Sequence, residues 1–66
     1  MSEVKNLRKE NNMTQFEVSD ILGISVPNYS KKENGIVKFS LQEAEKLSIL
    51  FNKSIEDIFF AHEVSK

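Results

Sequence analysis

Cysteine and tryptophan are absent from this 66-residue chain, glycine occurs twice and proline once. Without cysteine neither a disulfide nor a thiolate metal site supplements a small core, so helix packing or self-association must supply the stability. A single histidine, His62, removes the commonest zinc-ligand sets and reads as a solvated tail residue. Each glycine reads as a turn, which leaves no glycine-rich phosphate loop. Paired carboxylates and nucleophile–base constellations are missing, and the chain is short for an enzyme, so no catalytic site, metal or cofactor is expected. No apolar run is long enough to cross a membrane and no signal-peptide layout occurs, so a soluble, cytoplasmic protein with no membrane partner is expected. Internal repeats and low-complexity linkers are missing as well. Residues 1–66 read as one domain with a short tail at about 61–66.

The formal net charge of −1 is low for a partner of nucleic acid, but its distribution is uneven. Residues 1–39 hold six basic and five acidic side chains, and residues 40–66 hold three basic and five acidic. Between Val26 and Phe39 the charges are Lys31, Lys32 and Lys38 against Glu33 alone, which makes that edge locally positive. Non-specific DNA affinity should be modest, because it grows with the number of phosphates neutralised.

Periodicity predicts five short helices. Val4, Leu7 and Arg8 share one face of a helix from about Ser2 to Asn11, weakly capped by Ser2 with Glu3, while Lys5, Arg8 and Lys9 lie on or beside the solvent side, as a solvated face or for occasional phosphate contact. Asn11 and Asn12 end it, since both tolerate the left-handed conformation. Thr14 with Glu17 three residues later is a capping box that starts the second helix. Phe16, Val18, Ile21 and Leu22 then supply more apolar surface than one narrow stripe needs, most of it expected in the core, with small Ser19 where another helix crosses closely and Gly23 at the turn. Ser25 caps the third helix and Pro27 falls in its first turn, where a missing N–H costs nothing. Asn34-Gly35 ends it. Ile36 to Phe39 read as a loop in which Lys38 is either placed for phosphate contact or simply solubilising. Ser40 with Glu43 is a second capping box, followed by a stripe of Leu41, Ala44, Leu47, Ser48 and Phe51 that Asn52 terminates. Ser54 and Asp57 start a fifth helix carrying Ile55, Ile58 and Phe59; its acidic first turn would repel DNA.

Thr14 to Gly35 is therefore a helix–glycine turn–helix, with Gln15, Val18, Ser19, Leu22, Gly23, Ile24, Tyr29 and Glu33-Asn34-Gly35 as its markers. Together with Ser54-Ile55-Glu56-Asp57-Ile58-Phe59, this pattern resembles the phage-repressor and Cro-like helix-turn-helix regulators of the XRE family, from about Val4 to Phe60. The resemblance implies an all-α, five-helix fold like that of lambda repressor. It implies double-stranded DNA as partner, a repressor acting as a homodimer on a pseudo-palindrome, and a prokaryotic or prophage setting.

It also implies a contact set of Gln15, Ser25, Val26, Pro27, Asn28, Ser30, Lys31 and Lys38. Gln15, at a helix N-terminus, would meet a phosphate, as the positive helix end favours; otherwise it is an exposed helix former. Val26 and Pro27 suit thymine methyls, Asn28 an adenine or a phosphate, and Lys31 a guanine or a phosphate. Two positions depart from the family pattern. Tyr29 replaces an aliphatic residue, which requires a buried ring with its hydroxyl at water or phosphate. Lys32 replaces an apolar residue, so it either snorkels over the core or the third helix ends early. Glu33 is a candidate partner for Arg8.

Ile49, Leu50, Phe59, Phe60 and Val64 exceed what so small a core readily absorbs. The resemblance implies a dimer contact through the fourth and fifth helices, drawn from Leu50, Phe59 and Phe60; the tail either frays or extends it. The rival reading keeps the fold as a protein-interaction module of the antitoxin or anti-repressor kind. With no ligand pocket evident, abundance, a competing repressor or a protein antagonist is the expected mode of control.

Overall fold

The computed structural model describes residues 3–59 and 64–65. Five helices appear in the expected order: α1 (Val4–Glu10), α2 (Gln15–Leu22), α3 (Val26–Glu33), α4 (Leu41–Phe51) and α5 (Ile55–Ile58). Two short strands, β1 (Phe39–Ser40) and β2 (Val64–Ser65), pair in parallel, with Phe39 opposite Val64 and Ser40 opposite Ser65. A pairing of two residues organises no sheet, and the domain is all-α. It does correct two expectations: the loop after α3 becomes extended backbone at Phe39, and Val64 and Ser65 pair rather than fray.

Four helix starts are written in local sequence. Thr14 Oγ1 accepts the Glu17 amide at 3.1 Å while the Glu17 carboxylate accepts the Thr14 amide at 2.8 Å. Ser40 and Glu43 repeat the arrangement at 3.1 and 2.8 Å. The hydroxyls of Ser25 and Ser54 accept the amides of Asn28 and Asp57 at 3.2 and 3.1 Å. Each cap satisfies an amide that the first turn leaves unpartnered. The exception is α1. It starts at Val4, not Ser2, and no side chain caps it. Its entry is set at long range, by the Glu3 amide donating to the Ile58 carbonyl at 3.0 Å.

The ends follow the left-handed logic expected of them. Gly23 has φ +73°, and the Ile24 amide returns to the Ser19 carbonyl at 3.0 Å, which turns the chain from α2 into α3. Asn12 and Asn52 take the same region at φ +55° and +54°.

Every helix contributes to one core. Val4 and Leu7 of α1 meet Val18 and Leu22 of α2, Tyr29 of α3, Ala44, Leu47 and Phe51 of α4, and Ile58 of α5. Phe39 and Phe59 complete it, and three rings form a chain: Tyr29 to Phe39 at 6.2 Å and Phe39 to Phe59 edge-on at 5.5 Å. Phe59 is thus core rather than surface, which removes it from the expected dimer contact. Of the apolar surplus on α2, Phe16 and Ile21 stay outside, 67% and 42% exposed, so half rather than most of the four residues are core. An eight-residue helix buries only the stripe that faces its neighbours, here Val18, Ser19 and Leu22. Leu41, read as part of the α4 stripe, sits in the first turn and is exposed.

Candidate nucleic-acid interface

The geometry around α3 begins with charge placed inside. Arg8, expected on the solvated side of α1, is buried because Glu33 comes from α3 to meet it. Its Nε and Nη2 donate to the two carboxylate oxygens at 2.8 and 3.1 Å, a bidentate grip, and its Nη1 donates to the Met13 carbonyl at 2.9 Å. The Tyr29 hydroxyl donates to the same carboxylate. So does the amide of Gln15, at 3.2 Å. Burial alone would push the Glu33 carboxyl up, but the bonds from Arg8, Tyr29 and Gln15 outweigh it and hold the group below the usual carboxylate range. Burial, followed by the bond to anionic Glu33, pushes the Tyr29 phenol upward. Tyr29 therefore seats α3 with a fully buried ring, and its hydroxyl faces protein rather than water or phosphate.

Lys32 follows neither expected course. Its ammonium lies 2.6 Å from Glu43, whose same oxygen accepts the Ser40 amide. Burial disfavours the charged Glu43 carboxylate, yet the bonds from Lys32 and Ser40 keep its pKa below normal. The helix runs on to Glu33, and α3 and α4 are joined across the loop between them.

With Lys32 and Glu33 committed inward, the outer side of the unit is clear. Pro27, Asn28 and Lys31 are exposed on α3, Val26 and Ser30 are half-buried, and Ser25 is exposed at its cap. Ser30 has its carbonyl and hydroxyl oxygens taken by the Asn34 side chain at 2.9 and 3.4 Å. Lys38 is exposed in the loop beyond α3, and among the described residues neither it nor Lys31 is in an ion pair. Gln15 stands half-buried in the first turn of α2, its amide turned to Glu33. The outward residues of α3 thus include a cation and no carboxylate, the capped N-terminus of α2 is tied to α3 through Gln15, and a second cation is exposed in the loop that follows. That combination suits a polyanion with readable edges.

Sequence reasoning missed how much of this depends on Glu33; the only signal was its pairing potential with Arg8. Leu50 of α4 is half-buried, and Ile49 beside it is 82% exposed. Phe60 and His62 lie outside the described residues. Among the described residues no three histidine, cysteine or acidic side chains gather as metal ligands, and no helix is long and apolar enough to cross a membrane.

No curated protein matches the chain. A family model described as helix-turn-helix matches residues 4–58, from the first residue of α1 to the last of α5. That family comprises DNA-binding regulators rather than enzymes. By this match over most of its length, the chain belongs to the XRE-type helix-turn-helix family.

Proposed function

We propose that this protein is a transcriptional repressor that binds a pseudo-palindromic operator as a homodimer. The observation that carries the reading is α3 itself: locked at its inner side by Tyr29 and Glu33, it offers Pro27, Asn28 and Lys31 outward, with Gln15 of α2 tied to it and Lys38 exposed in the loop that follows. Such a helix fits the major groove, where Asn28 and Lys31 have the donors and acceptors to read adenine and guanine edges and Val26 with Pro27 meets thymine methyls. Gln15, Ser25, Ser30 and Lys38 contact the flanking phosphates and fix the register.

Two copies place their recognition helices in successive major grooves, about 34 Å apart. The α4–α5 side supplies the contact between copies, with Leu50 and Phe60 in it and exposed Ile49 alongside. Bound there, the dimer obstructs RNA polymerase by occupancy. Control rests on abundance, a competing repressor or a protein antagonist, in a cytoplasmic, prokaryotic or prophage setting.

Selection of bound duplexes from a random DNA pool at two salt concentrations tests this. Enrichment of a two-fold symmetric motif with half-sites about one helical turn apart supports the dimeric regulator. No enrichment at either salt overturns it in favour of a protein-interaction module.

A further inference from the structure

Gln15 is the one member of the DNA-contact set tied into the buried network. Its Nε2 donates to Oε1 of Glu33 at 3.2 Å, and Arg8 Nη2 reaches the same oxygen at 3.1 Å. Arg8 Nε and the Tyr29 hydroxyl take Oε2. The two carboxylate oxygens thus receive two donors each, from α1, α2 and α3.

A glutamine amide has two ends of opposite character. The nitrogen carries two hydrogens and the oxygen only accepts, so a half-turn about the last side-chain bond exchanges donor for acceptor. Next to a phosphate that choice decides between attraction and repulsion. An ionised carboxylate beside the amide makes the choice in advance, because only the nitrogen end is attracted to it. One hydrogen is then engaged by Glu33 and the other remains.

We infer that Glu33 is a positioning residue for DNA binding: through Gln15 it fixes which end of the amide is presented at the first turn of α2, and holds the second N–H for a phosphate oxygen. The inference rests on the reading of Gln15 as a phosphate contact. Arg8 makes the arrangement compatible with an incoming anion. Its guanidinium neutralises Glu33 at 2.8 Å, so the phosphate approaches a net-neutral pair rather than a bare carboxylate. The remaining advantage is preorganisation, since a side chain already held in its bound orientation loses less freedom on association.

The test measures the affinity of the intact protein for the selected operator duplex in the wild type, Gln15→Ala, Glu33→Gln and the double variant at one salt concentration. Gln15→Ala should weaken binding about tenfold in the wild-type background, the scale of a hydrogen bond to a charged group. In the Glu33→Gln background the same substitution should cost less than about twofold, because the loss is shared and no longer additive. Equal factors in both backgrounds would overturn the positioning role while leaving the phosphate contact intact. No effect of Gln15→Ala, in a wild type that binds, would overturn the contact and the inference with it.

A second measurement needs no variant at Glu33, whose loss unbalances a buried pair. In wild-type protein the two side-chain amide protons of Gln15 are followed by NMR, free and bound to the duplex. One should hold its hydrogen-bonded shift in both states while the other moves on binding. Movement of both protons to new positions, as release from Glu33 would give, overturns the proposal.

Discussion

The Lys32 ammonium lies 2.6 Å from the Glu43 carboxylate, and both side chains are about nine-tenths removed from solvent. The residue that breaks the apolar pattern of α3 is thus a strap to the first turn of α4. Lys32→Met should leave the salt dependence of DNA binding unchanged, because this lysine meets no phosphate. Its effect on stability should be about 1–3 kcal/mol, because it leaves the largely buried Glu43 carboxylate without its cation. Glu43→Ala, which also loses the capping box, should cost about 1–2 kcal/mol in urea unfolding. A shallower salt slope for Lys32→Met would place that lysine on DNA instead.

Acid should destabilise the domain through the same carboxylates. Glu33 and Glu43 are both held below their ordinary 4.5 in the folded protein. A depressed folded pKa means that the unfolded chain binds the proton more tightly. The stabilisation is therefore complete above the ordinary value and is lost as pH falls through the folded one. Thermal midpoints should be flat from neutrality to about pH 5 and fall below pH 4.5. In Glu43→Gln the acid decline should be smaller, and an unchanged profile would remove Glu43 from the account.

Removing one partner of the Arg8–Glu33 pair should cost more than removing the strap, because the Glu33 side chain is wholly enclosed. Arg8→Met leaves the Glu33 charge inside without its neutraliser, at an expected cost of about 3 kcal/mol or more. Tyr29→Phe, which removes one of four donors to that carboxylate, should cost about 1–2 kcal/mol. Denaturant midpoints for the two variants check the order, and a Tyr29→Phe loss exceeding that of Arg8→Met would reverse it.

The exposed cations should be separable from the base-reading residues. If Lys31 and Lys38 each neutralise one phosphate, alanine at either should reduce the slope of log K against log salt by about 0.9. Asn28→Ala should instead narrow the gap between matched and mismatched duplexes, by about 1–3 kcal/mol for a lost bidentate base contact. Equal losses for Asn28→Ala on both duplexes would remove it from base readout.

Asn52 closes α4 at φ +54°, a region that an asparagine tolerates and a glycine occupies freely. Asn52→Gly should be neutral or stabilise by up to about 1 kcal/mol, read from the urea midpoint. Gly23→Ala, at φ +73° with open space around the added methyl, should lose about 1 kcal/mol from backbone strain alone.

What could be read from the sequence was what is local. Thr14 with Glu17 and Ser40 with Glu43 announce their helices because donor and acceptor lie three residues apart. Gly23 and Asn52 announce the ends for the same reason. Spacing puts Arg8 on or beside the solvent side of α1, where a helix charge ordinarily lies, and offers Glu33 only as a candidate partner because the group that draws it inward is 25 residues away. The apolar surplus of α2 is legible in the sequence, but only packing reveals that Phe16 and Ile21 are the part left outside. The contact set proposed on α3 comes from family likeness alone. The tie from Gln15 to Glu33 was not legible, since nothing in spacing distinguishes a free glutamine from an anchored one.

Tyr29 is the sole tyrosine of a chain without tryptophan. Its ring is wholly enclosed, and its hydroxyl rests on Glu33 at the joint between α3 and the rest of the molecule. All tyrosine fluorescence from this protein therefore originates at one site, beside a carboxylate that quenches it. A brightening of that signal reports the release of Tyr29 from Glu33, so the native sequence carries its own optical probe of how α3 is seated.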